Sequence, residues 1–226
     1  MRSATLATAL LILVQGTAGA DEFKAWVFSV EGDKVSFIKD DGTSKTKGVP
    51  KGQPITLRVA DNVLVLQGGH DDATKKYEGA IVESGLKYDL FDDLKPVGKK
   101  QKGTRYHLTH LVTNDKNEIT EIRLHDDVAA KIMKVEGNNL NIVQIWGAGF
   151  YGGPEEGVPR VYHASDKVTV VKGWLNPKTR KFEATEVEGG LKNDIFKSTV
   201  RARLTSRGEG VILIRVFDPA KVPSKE

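Results

Sequence analysis

The chain has 226 residues, with 34 Lys and Arg against 30 Asp and Glu, and no cysteine. Its net charge of +4 is spread among interspersed acids, which argues against a dedicated nucleic-acid protein, where positive charge is concentrated. The absence of cysteine excludes a disulfide framework, a thiolate nucleophile and a thiolate metal site, so stability must come from packed cores.

In chain order, the first element is not part of a fold. Arg2 supplies a positive charge, residues 6–14 are almost wholly apolar, and Ala18-Gly19-Ala20 has the small-x-small form that a signal peptidase accepts. The apolar run is shorter than the roughly 20 residues that span a bilayer. Residues 1–20 therefore read as a secretory signal peptide, with cleavage after Ala20 and a periplasmic or secreted product.

From residue 21 the pattern has period two, punctuated by turn residues. Residues 24–30 and 35–39 flank Glu31-Gly32-Asp33-Lys34, a hairpin signal. Residues 55–59 and 63–66 read as two strands around Ala60-Asp61-Asn62, and residues 108–113 and 119–124 as a hairpin around 114–118. Between these, Leu86, Leu90 and Phe91 fall at helical spacing behind Ser84, an N-cap residue type, which predicts one or two helical turns over 84–93.

The pattern then repeats. Val30-Glu31-Gly32-Asp33 recurs as Val135-Glu136-Gly137-Asn138, and Val82-Glu83-Ser84-Gly85-Leu86-Lys87 as Val187-Glu188-Gly189-Gly190-Leu191-Lys192; the offset is 105 at both places. Asp61, Val63, Val65 and Gly68 fall on Asp166, Val168, Val170 and Gly173 in the same register. The register breaks after Phe91, where the first copy carries an insertion over about 92–106, and resumes as Leu111 answers Leu204 and Ile122-Arg123-Leu124 answers Ile214-Arg215-Val216. So long a period describes tandem domains rather than a solenoid. The expected organisation is residues 21–127 as copy 1 and 128–226 as copy 2, with almost no linker, so that the copies touch. The fold class is all-β: two tandem small β-barrels from an internal duplication, each with a short helical turn.

The hairpin opening Val-Glu-Gly-Asp at residues 30–33, the strand with Asp61, Val63, Val65 and Gly68, the Gly85-Leu86-Lys87 turn leading to Phe91, and the closing hairpin from Val200 to Val216 together resemble OB- or SH3-like small barrels. In particular they are similar to uncharacterised exported bacterial proteins of the planctomycete type that carry such barrels in tandem. The resemblance implies the fold and no activity.

Catalytic and cofactor signals are sparse. No serine lies in a G-x-S-x-G elbow, and Gly147 to Gly153 and Gly189-Gly190 lack the phosphate-loop pattern, so no cofactor is implied. Among the histidines, His107 and His110 are three apart on a strand and must point to opposite faces. His70 aligns with Leu175 and His125 with Phe217, which excludes a duplicated metal site and leaves only a single one. Glu83, Lys87 and Asp89, shared as Glu188, Lys192 and Asp194, read either as a ligand-facing patch present twice or as capping and surface pairing.

Two loops carry binding character. Trp146, Phe150 and Tyr151 lie on a glycine frame that could stack rings on sugar or base faces, or fold back over the core. Lys95, Lys99, Lys100, Lys102 and Arg105 crowd the insertion, as a contact for an anionic polymer or headgroup, or as a solvated loop. The expectation is a non-enzymatic exported binding or scaffold module of the cell envelope, partnered by an envelope glycan, an anionic polymer or another envelope protein. The competing reading is an enzyme or metal protein with one site at the contact between the barrels, drawing on His107, His110, His125 or His163.

Overall fold

The computed structural model describes residues 21–40, 42, 52–70, 74, 76–94, 105–146 and 155–221. The signal-peptide reading of 1–20 lies outside them. The described residues form twelve strands: β1 (Asp21–Glu31), β2 (Lys34–Lys39), β3 (Ile55–His70), β4 (Tyr77–Ile81), β5 (His107–Thr113), β6 (Ile119–His125), β7 (Asp127–Glu136), β8 (Asn139–Trp146), β9 (Glu155–Leu175), β10 (Phe182–Glu186), β11 (Val200–Arg207) and β12 (Gly210–Phe217). Among the described residues no helix is long and apolar enough to cross a membrane.

The strands form two six-stranded sheets of the same topology, β2-β1-β5-β6-β3-β4 and β8-β7-β11-β12-β9-β10. In each, the second strand also pairs with the third, so the pairings run back on themselves as a ring. The third and last strands run parallel, and the other neighbours are antiparallel. The rings are partial: β2 meets β3 only over 55–58, whereas β6 meets mainly 64–68.

The duplication extends to irregularities. Both first hairpins have a two-residue turn opened by glycine, Gly32 at φ +59 and Gly137 at φ +61, a conformation that excludes most other residues. A bulge interrupts β1 between Val27 and Ser29 and β7 between Ile132 and Lys134, the same place 105 residues on. An added Cβ on Gly68 would lie 2.0 Å from Glu78 O, and one on Gly173 would lie 2.0 Å from Glu183 O. In both domains that glycine lets the edge strand fold tightly onto the third strand.

The inward positions match as well. Val27, Val35, Phe37, Val65 and Leu111 are buried in the first domain, and Ile132, Leu140, Ile142, Val170 and Leu204 in the second. Phe91 and Phe196, 105 residues apart, are both buried. Each fully buried side chain of this size contributes about 1.5–3 kcal/mol through the hydrophobic effect. The two cores join into one contiguous apolar cluster.

Two local expectations change. Residues 60–62 do not break the chain: β3 is one strand from 55 to 70, bent by a register shift between Val59 and Leu64. Pairing with both β2 and β6 overrides the turn propensity of Asp61-Asn62. The helical segment is two 3₁₀ turns, Gly85–Lys87 and Asp89–Phe91, and Ser84 makes no side-chain cap. Its hydroxyl instead donates to Glu209 Oε1 of the second domain at 2.8 Å.

Candidate functional site

The sequence insertion after Phe91 is what joins the two domains. Asp93, just past the second 3₁₀ turn, and Arg105, just before β5, are its two ends, and both are buried against β9. Asp93 Oδ1 lies 3.5 Å from Arg105 Nη1 and 3.4 Å from Arg160 Nη2, and accepts from Val158 N–H at 3.3 Å. Arg105 Nη2 donates to the carbonyl of Glu156. Arg160 Nη1 also reaches Asp89 and Asp92, each at 3.6 Å. One buried carboxylate thus stands between two buried guanidiniums, and removing it would strand Arg105 and leave Arg160 with only the exposed Asp89 and Asp92.

Backbone chemistry makes room for this junction. An added Cβ at Gly157 would lie 2.2 Å from Asp93 Oδ2 and 3.1 Å from Trp146 Nε1. Trp146, at the end of β8, is 5% exposed and meets the His107 ring edge-on, with centroids 4.8 Å apart. Full burial, reinforced by His125 nearby, pushes the His107 pKa down to about 3 against a partial pull from Asp93. His107 is therefore a neutral packing partner at ordinary pH.

A second contact completes the junction. The tight turn between β11 and β12, Arg207-Gly208-Glu209, docks on the first domain. Gly208 N–H donates to Gln67 O at 3.1 Å, and Glu209 Oε1 accepts from the Ser84 amide at 2.9 Å. An added Cβ on Gly208 would lie 3.0 Å from Ile81 O.

The outer face of the first sheet carries a different layer. On it His70, His110 and His125 line up, with ring centroids 5.1 Å apart between His70 and His110 and 6.2 Å between His110 and His125. Tyr77 crosses the face to donate to Leu124 O at 2.8 Å. Glu22 Oε1 lies 2.8 Å from Arg123 Nη1 and 3.3 Å from His110 Nδ1. Partial burial pushes the Glu22 carboxyl up, but Arg123 and His110 outweigh it, and its pKa falls below the ordinary value. His110 and His125 are both pushed down, chiefly by burial.

This layer has a counterpart in the second domain that sequence reasoning missed. Asp127, 105 residues beyond Glu22, lies 3.2 Å from Arg215 and 2.9 Å from Arg203. Arg215 faces Arg203 across β11 and β12 as Arg123 faces His110 across β5 and β6. Each domain therefore holds its last-strand arginine with an acid from its first strand. The signal was present in the aligned Ile122-Arg123-Leu124 and Ile214-Arg215-Val216.

Among the residues singled out in sequence, Arg105 and Trp146 meet at the junction and neither is displayed for a ligand. Lys95, Lys99, Lys100, Lys102, Phe150 and Tyr151 lie outside the described residues. His107 and His110 do take opposite faces, one against Trp146 and the other against Glu22. His163 sits apart, 3.2 Å from Asn139 Oδ1. Among the described residues no group of three His, Asp or Glu is arranged to hold a metal ion. No family model, curated protein or solved structure matches the chain.

Proposed function

We propose that the chain is an exported, non-enzymatic binding and scaffold module of the cell envelope, built from two OB-like barrels held in one fixed arrangement. A partial ring with a parallel third and last strand fits a five-stranded, partly open Greek-key barrel. The observation that carries the functional reading is the Asp93 junction. Where the first domain departs from the repeat, its extra residues are used to lock the domains together. Such a lock matters for a protein that presents two faces at a set separation.

Lys95, Lys99, Lys100 and Lys102, which follow Asp93 in the sequence, are the proposed contact for an anionic envelope polymer. The test is retention of the purified chain on peptidoglycan, envelope polysaccharide and anionic-polymer supports at two salt concentrations. Retention that salt abolishes, and that Lys99→Ala with Lys100→Ala weakens, supports the polymer contact. Failure to bind any support overturns it.

A further inference from the structure

The turn that docks the second domain on the first has a duplicate with no partner among the described residues. In the first domain the groove between the edge strand and the first 3₁₀ turn is filled by Arg207-Gly208-Glu209. Gly208 packs there against Ala80 and Ile81, Glu209 takes the Ser84 amide and hydroxyl, and Arg207 lies 3.9 Å from Glu78. The equivalent groove in the second domain, lined by Val168, Val170, Glu186, Val187, Glu188 and Gly189, is an open cavity of about 430 Å³. Burial reports the difference: Val82 is buried, whereas Val187 at the same place is only half-buried.

The matching plug is also uncovered among the described residues. The turn of the first domain that corresponds to Arg207-Gly208-Glu209 lies at residues 114–117, between β5 and β6, and Asp115, Lys116 and Asn117 are exposed. Among the described residues Lys116 makes no ion pair.

The open groove differs from the filled one in the charge it accepts. Ser84 is right-handed at φ −71, but Gly189 is left-handed at φ +77. That exchange converts a type I turn into a type II turn and reverses its central peptide. The carbonyl of Glu188 accepts from Asn193 Nδ2 at 2.9 Å. No amide is offered to an acid, and the carboxylates of Glu186 and Glu188 stand at the rim. The filled groove receives Glu209; the open one is built for a cation, which Lys116 supplies.

We propose that the open groove of the second domain takes the 114–117 turn of a second copy of this chain, so that molecules associate head to tail. The contact continues the internal one from molecule to molecule. Its two surfaces differ, so it does not close on itself as a twofold dimer and instead propagates into chains or rings. It is weaker than the internal contact, because the second domain lacks the insertion that supplies Asp93 and Arg105, and Ile55 occupies the position of Arg160. The inference goes beyond polymer binding and stands without it.

The test is sedimentation equilibrium of the purified chain in polymer-free buffer, from micromolar to millimolar concentration, with zero-length carbodiimide crosslinking. The expected mass rises past that of a dimer, without a plateau for open chains or to a plateau above dimer for a ring, and crosslinks join Lys116 of one molecule to Glu186 or Glu188 of another. Lys116→Glu lowers the association constant about fivefold, the loss of an exposed ion pair. Thr185→Arg, at the exposed position equivalent to Ala80, blocks the groove and abolishes association. Mixing Lys116→Glu with Glu188→Lys chains restores it. A monomer throughout, a plateau at dimer, or association untouched by both single variants overturns the proposal. Because no polymer is present, this result is independent of the retention test.

Discussion

Asp93 of the first domain and Arg160 of the second approach to 3.4 Å with side chains only 2% and 5% exposed. Arg105 completes the group from the other end of the same insertion, 3.5 Å from the same carboxylate oxygen. Three charges are thus withdrawn from water at a domain contact, where the central carboxylate compensates both guanidiniums and Asp89 and Asp92 add to the field on Arg160.

Replacing the central acid should be severe. Asp93→Asn leaves the buried Arg105 without a counter-charge and Arg160 with only the exposed Asp89 and Asp92, and is expected to cost about 3–5 kcal/mol of stability. Urea unfolding measures the loss. Adding Arg160→Met to Asp93→Asn should recover part of it, since a buried charge that has lost its buried partner is gone. Equal loss with and without the second change would contradict the coupling.

The duplicated close approach gives a symmetric prediction. Gly68→Ala and Gly173→Ala each force a methyl to within 2.0 Å of a carbonyl oxygen on the edge strand. Each is expected to cost about 1–3 kcal/mol by overpacking. The affected strands differ, β4 in one variant and β10 in the other, and amide exchange should rise in that strand alone.

Acid should weaken the fold well above the carboxylate range. His107, His110 and His125 all have folded pKa values below the ordinary 6.5, with His107 at about 3. Below pH 6.5 the unfolded chain takes up protons that the folded chain refuses, so stability is full above that pH and falls as pH drops toward 3. Each such histidine contributes at most about 1.4 kcal/mol per pH unit. Asp126, whose pKa is raised by burial and by Asp127, acts in the opposite sense, and Glu22 adds to the loss only below 4.5. His107→Phe keeps a ring beside Trp146 without a titrating group. Stability measured between pH 6.5 and 4.5 should slope less steeply in that variant; an unchanged slope would remove His107 from the account.

The docked turn is separable from the buried charges. Glu209→Ala removes two hydrogen bonds that a carboxylate accepts from Ser84, each worth about 1.5–3 kcal/mol. Exchange of the Ser84 amide should accelerate while amides of the β5 and β6 core stay protected. Unchanged protection at Ser84 would show that Glu209 does not hold it.

What the sequence made legible follows from where the information sits. The repeat could be read because Val82 and Phe91, and Val187 and Phe196, keep one spacing, and because Gly32 and Gly137 need the same positive φ. Hairpins with local turns, such as that between β5 and β6, were also readable. β3 was not, because its continuity through Asp61 depends on β6, which lies some sixty residues away in the chain. Ser84 obeyed no local capping rule because its partner is Glu209, far along the chain. The junction escaped for the same reason. Asp93 and Arg105 lie outside the repeated register, and only the replacement of Ile55 by Arg160 at a matched position hinted that β9 carries a charge the repeat does not require.

The central claim is that these contacts fix the two domains relative to each other. Because the chain has no cysteine, Lys34→Cys on β2 and Lys178→Cys beyond β9 place one spin label on each domain without competition. Double electron–electron resonance between them should give a single narrow distance distribution that salt does not change and that broadens when Asp93→Asn and Glu209→Ala are introduced. A broad distribution in the chain that retains Asp93 and Glu209 would contradict a fixed arrangement.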